Sequence, residues 1–271
     1  MKLLLLLGWL TILVGCAKLP HEIVEQAAAG SAEDQFFLGN MHEFGLQADK
    51  NSYGIDLPKD AKEAFKWYLM AAEQGYAKAQ SAVARMFKTG NGVPQNDEKA
   101  FEWSLKAAEQ GYASEQSSLG YAYLNGKGVP VDHKKAFNWF EKAALRGDMH
   151  GQMNLGIMYS FGLGVTVNHK EACKWYLAAA KQGYASAQFR LGYCYELGQG
   201  ESQDYKAAVK WYLKSAKQGD VDAQRKLGDA YFFGQGVTKD YKEAFKWTLQ
   251  SAEQGHPLAQ FNLGTMYDNG E

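Results

Sequence analysis

Six carboxylate or carboxamide residues stand at a fixed interval, Asp60, Asn96, Asp132, Asn168, Asp204 and Asp240, and such a row could supply general acids or metal ligands. Each lies four residues before a recurring alanine of the Ala64 type, where a helix N-cap belongs, so the row is assigned to capping. Glu63, Glu171 and Glu243 follow three positions later and complete an expected capping box. The repeated G-x-G pairs, such as Gly126-Lys127-Gly128, do not cradle phosphate. None continues to G-x-x-G or G-K-[ST], and their recurrence marks loop geometry. Lys88-Thr89-Gly90 matches one element of penicillin-binding acyl-transfer sites, but no S-x-x-K or S-D-N accompanies it. The six His residues have no metal-ligand spacing, and neither H-E-x-x-H nor C-x-x-C occurs. The residues therefore indicate no catalysis, no metal and no cofactor.

The elements that position these residues follow from one period. Trp recurs at 67, 103, 139, 175, 211 and 247, Gly at 75, 111, 147, 183, 219 and 255, and Gln at 80, 116, 152, 188, 224 and 260. Every interval is 36 residues, the signature of a solenoid of identical units. Gly is frequent and Pro rare, 29 against 5 in 271 residues, as regular punctuation requires. Within each unit Ala64, Trp67, Tyr68, Ala71 and Ala72 form an apolar stripe of helical spacing, closed by Gly75 at a left-handed C′ position. The other helix of the unit carries the Gln and a mid-helix glycine, as in Gln188 and Gly192. The predicted fold is all-α, with two helices per unit. The Trp ladder is expected in the core, with the Gly192-type glycines permitting close approach to it. The Gln ladder is expected to satisfy buried backbone.

Between Gly45 and Pro58 the first unit carries nine extra residues, an insertion near 46–57. In the next copy Val83-Ala84 replaces Leu-Gly. Asp268, Asn269 and Glu271 suit a polar end cap on the final helix. With 29 Lys+Arg against 30 Asp+Glu the formal charge is −1, so the chain has no basic field for nucleic acid.

The pattern A-x-x-x-L-G-x-x-Y-x-x-G-x-G-V followed by D-x-x-x-A-x-x-W-Y-x-x-A-A-x-x-G resembles the Sel-one-like repeat, a 36-residue relative of the tetratricopeptide repeat, over residues 27–271. The resemblance implies a right-handed α/α superhelical solenoid of helix-turn-helix repeats, about six plus a terminal half-repeat, with first helices lining the concave face. It also implies a non-catalytic scaffold: an assembly platform, an envelope adaptor or a host-interaction factor. Some cysteine-rich secreted relatives are linked with β-lactam binding or hydrolysis, which leaves an enzyme as the alternative reading. An envelope-polysaccharide assembly scaffold is a third. Those relatives pair cysteines in most repeats, whereas this chain has only Cys173 and Cys194 besides Cys16. These two are either buried small hydrophobes or one disulfide, which an oxidising periplasm allows.

Lys2 and the apolar run from Leu3 to Val14 fit a secretory signal, and the run is too short to span a bilayer. Its end, Leu13-Val14-Gly15-Cys16, resembles the bacterial lipobox. This implies a signal peptide over 1–15, a lipid on Cys16 and a short tether to residue 26. Membrane contact is then through the anchor alone, and Ala17 after the cysteine favours the outer membrane over the inner, with the solenoid facing the periplasm or cell surface.

Positions identical in every unit hold the solenoid together; positions that vary are free for recognition. By analogy with tetratricopeptide geometry, the varying concave positions are small and polar in early units. From the fourth unit they become Phe161, Phe189, Tyr193, Phe232, Phe233 and Phe261, flanked by Arg225 and Asp229. Aromatics with a charged rim make up an interface hot spot, here for a protein or peptide partner.

Overall fold

The computed structural model describes residues 21–46 and 57–269. Fourteen helices occur among them: α1 (His21–Ala28), α2 (Ala32–Phe44), α3 (Ala61–Glu73), α4 (Ala77–Thr89), α5 (Asp97–Glu109), α6 (Ala113–Asn125), α7 (His133–Leu145), α8 (Met149–Phe161), α9 (His169–Lys181), α10 (Ala185–Leu197), α11 (Tyr205–Ala216), α12 (Val221–Phe233), α13 (Tyr241–Glu253) and α14 (Pro257–Asn269). The chain divides into two units, residues 1–132 and 133–271, and in each the helices pack in pairs as a solenoid. None of the described helices is long and apolar enough to cross a membrane.

The signal region and Cys16 lie outside the described residues, as do residues 47–56 of the insertion. Leu46 and Leu57, which flank the insertion, close its base with two backbone hydrogen bonds of 2.8 and 2.9 Å. Helix α1 takes in residues 21–26, a segment expected to be tether. It packs Ala27 into the first core cluster beside Leu38, Met41 and Trp67.

Local chemistry explains each helix. Asp60, Asn96, Asn168, Asp204 and Asp240 accept backbone N–H bonds from the first turn of α3, α5, α9, α11 and α13, as capping requires. The capping box does not close. The N–H of each cap residue donates instead to the first helix of the repeat, Asp60 to the His42 carbonyl and Asp204 to the Tyr195 carbonyl. Glu63, Glu171 and Glu243, with no N–H to reach back to, pair with Lys66, Lys174 and Lys246 one turn on. In the G-x-G loops the second glycine is the stricter one. Gly92 has φ +74°, and a Cβ there would lie 2.2 Å from the Ala61 carbonyl oxygen, so only glycine lets the loop touch the helix.

The glutamine ladder is structural. Nε2 of Gln80, Gln116, Gln152, Gln188 and Gln224 each donates to the carbonyl eight residues earlier, from Ala72 to Ala216, at 3.1–3.3 Å. These carbonyls end the preceding helix, where each also accepts the N–H of the glycine three residues on, as Ala72 does from Gly75. A second glutamine series, unassigned from the sequence, extends the chain of bonds. Gln110, Gln182, Gln218 and Gln254 donate to the side-chain oxygens of Gln80, Gln152, Gln188 and Gln224 at 2.7–2.8 Å.

The tryptophans sit differently from expectation. Trp67 and Trp247 are buried, but Trp103, Trp139, Trp175 and Trp211 are only half-buried. Lys106, Lys142 and Lys214 cover the faces of Trp103, Trp139 and Trp211 at 3.9–4.2 Å from the ring centre. The residue after each Trp points inward. A Cβ built at Gly192 would lie 2.6 Å from Cε1 of Tyr212, and one at Gly156 would lie 2.5 Å from Tyr176. The glycines thus make room for the tyrosine of the next helix, 20 residues on, not for the tryptophan. Where Ala84 replaces the glycine, the residue 20 further on is Ser104.

Candidate functional site

The varying face of the second unit starts from helices α8 and α10, with α9 behind them. Tyr176 on α9 is buried and places its hydroxyl 3.0 Å from Ser160 Oγ on α8; burial pushes the phenol above its ordinary pKa. Above that floor the side chains stop repeating, and a groove of about 380 Å³ opens. Phe161, Phe189, Tyr193, Cys173 and Cys194 all line it. Phe161 is 61% exposed and Tyr193 38%, while Phe189 is half-buried, its ring 6.4 Å from Tyr193 and 5.7 Å from Tyr212. Three of the expected recognition aromatics are therefore brought together, with one ring anchored in the core and two facing solvent.

Cys173 and Cys194 form a disulfide between α9 and α10, with Cα atoms 6.2 Å apart. It ties the groove floor to one wall. The bond closes a loop of 21 residues, for which chain entropy predicts about 3 kcal/mol of stabilisation. Thermal unfolding in dithiothreitol is expected to show that loss. A Cys173→Ala variant should unfold at the lower midpoint whether or not reductant is present.

The remaining expected residues are arranged otherwise. Phe232 is half-buried on α12 and meets Phe233 and Tyr241 edge-on at 5.1 and 5.3 Å, a second aromatic cluster. Phe233 is 64% exposed, and Phe261 on α14 is 69% exposed. Arg225 and Asp229 do not form an open rim. They bind each other at 2.5 Å across one helical turn, and burial holds the Asp229 carboxyl above its usual range against the pull of Arg225 and Lys226. Lys226 in turn binds Glu196 at 2.7 Å and lies 5.4 Å from the Tyr193 ring centre, while Tyr212 donates its hydroxyl to Glu196. The Lys226–Glu196 pair braces α10 against α12, while the Arg225–Asp229 pair lies within α12 and has the i, i+4 spacing visible in the sequence. Leu197, 44% exposed, occupies the same repeat position as Phe161 and Phe233, so that position is apolar and open to solvent in three successive repeats.

Among the described residues no group of His, Cys, Asp and Glu could hold a metal ion. The described face offers exposed aromatic rings and ion pairs.

The Sel1 repeat family model matches residues 32–76, 77–112, 116–148, 150–184, 185–220, 221–256 and 257–271. Among curated proteins none matches the chain. A protective antigen present in uropathogenic Escherichia coli strains, displaying an SLR fold, is similar over 92% of this chain with 38% identity and a TM-score of 0.84. The chain spans 51% of that protein's length. A Sel1 repeat protein from Oxalobacter formigenes is 32% identical over 83% of this chain and 86% of its own, with a TM-score of 0.71. Proteins built from these repeats generally act as scaffolds for protein interaction. Seven matched repeats over most of the chain leave one assignment: this chain belongs to the Sel1 repeat family.

Proposed function

We propose that this protein is a non-catalytic scaffold of the bacterial cell envelope, anchored by a lipid on Cys16, that holds a protein or an extended peptide against the aromatic face of its second unit. One observation carries the reading. Phe161, Phe189 and Tyr193 vary between repeats, contribute nothing to the shared glutamine and glycine contacts, and gather round one groove. Two of the rings keep large exposed areas, where aromatic anchors contribute most to binding once a partner excludes water. The lipobox-like Leu13-Val14-Gly15-Cys16 supports the envelope location.

Photo-cross-linking tests the reading in the producing cell. Benzoylphenylalanine replacing Phe161 is expected to yield a discrete adduct with one partner, and replacing exposed Lys210 is expected to yield none. Equal labelling at both positions, or no adduct at Phe161, would overturn it.

A further inference from the structure

A second site lies in the first unit, between α4 and α6 with α5 behind. Three departures from the repeat coincide there. Ala84 stands in place of glycine, Ser104 in place of the aromatic or threonine found in the other units, and Glu115 at a position that is Asp34 in the first copy and Ala or Gly in the rest: Ala79, Gly151, Ala187, Ala223 and Ala259. In the preceding layer a tyrosine spans this space: the Tyr68 hydroxyl donates to Glu43 at 2.8 Å and lies 2.9 Å from Asn40 Oδ1. Ser104 cannot span it, and a groove of about 710 Å³ results.

Glu115 is only 8% exposed and forms the floor. Its two oxygens accept from Ser81 Oγ at 2.7 Å and Ser104 Oγ at 2.6 Å. A carboxylate has about four acceptor sites, so each oxygen keeps one for a further donor. The guanidinium that lines the groove does not supply it. Arg85, on the same wall, is held by Glu43 through two bonds of 2.6 Å. A buried carboxylate held only by neutral hydroxyls favours an incoming cation.

The opposite end of the groove has the reverse sign. Lys88 closes α4 and Lys127 follows α6, with Asp97 as the one acidic neighbour there. Along the helix axes this end lies about 10–15 Å from the Ser81 and Glu115 end, at 1.5 Å per residue. An extended chain covers that distance in about three or four residues at 3.3 Å each.

We propose that this groove binds a short free peptide, about three or four residues long, in extended form. Its terminal ammonium sits on Glu115, and its terminal carboxylate sits between Lys88 and Lys127. Each end meets a charge of opposite sign at a separation that a longer chain or a single amino acid does not match. The site is separate from the aromatic groove of the second unit and does not depend on it.

Isothermal titration of the full chain with tetra-alanine bearing free termini tests this. Saturable binding is expected, weakened roughly tenfold by N-acetylation and by a similar factor on C-amidation, each corresponding to one charge-assisted contact. Glu115→Gln keeps the shape and an acceptor for the serines. It should bind the free peptide as weakly as the wild type binds the acetylated one, and acetylation should then cost nothing more. Lys88→Ala with Lys127→Ala should mimic amidation in the same way. Should any variant fail to fold, the peptide series on the wild type still decides. Equal affinity for free and doubly blocked peptide, or no saturable heat, would overturn the proposal.

Discussion

Gly192→Ala is expected to destabilise the second unit by about 2 kcal/mol, although alanine is the better helix former by about 1 kcal/mol. The added methyl would lie 2.6 Å from Cε1 of Tyr212 and 3.2 Å from the Ala208 carbonyl oxygen, so α10 and α11 must separate. Tyr212→Ser alone should cost about 3 kcal/mol, since it empties a site that is 2% exposed and removes the hydroxyl that binds Glu196. The double variant restores the pairing that the chain already uses at Ala84 and Ser104. Its loss should fall short of the sum of the single losses by at least about 1 kcal/mol. Urea unfolding of the four proteins measures this, and strict additivity would mean that the two positions do not share one contact.

Gln188→Leu is expected to cost about 2 kcal/mol, the loss of the two hydrogen bonds that form one ladder step, although the Ala180 carbonyl keeps the Gly183 N–H. Leucine fills the same space but leaves the Ala180 carbonyl without its 3.2 Å donor and Gln218 Nε2 without its 2.8 Å acceptor. Amide exchange should place the damage at both ends of the ladder step, in the last turns of α9 and α11. A change confined to α10 would show that the glutamines pack without bridging.

The period, the caps and the glycine loops were legible because each is a local rule repeated in every layer. Asp204 could be assigned to an N-cap from its offset alone, and its side chain does cap. What spacing could not reveal was direction. Trp211 and Tyr212 are neighbours on one apolar stripe, and only packing shows that the tyrosine meets Gly192 while Lys214 covers the tryptophan. The capping box fails to close for a related reason. The competing acceptor for the Asp240 N–H, which Glu243 would have to reach, is the Tyr231 carbonyl, nine residues back on another helix. Helix α1 has no Trp to announce it, so spacing alone reads its turns as tether. In the candidate site, variation between repeats singled out Phe161, Phe189 and Tyr193, which line one groove. It could not show that Arg225 and Asp229 neutralise each other, because composition alone does not separate a rim from a brace.

The division between shared residues that hold the layers and varying residues that recognise a partner is tested most directly by Phe161→Ala with Tyr193→Ala. One preparation gives both the unfolding midpoint and the yield of partner captured through a cross-linker placed elsewhere on the same face. The account predicts a stability change below about 1 kcal/mol, as for exposed side chains, and at least a tenfold fall in capture. Unfolding as severe as that of Gly192→Ala, or capture undiminished, would contradict it.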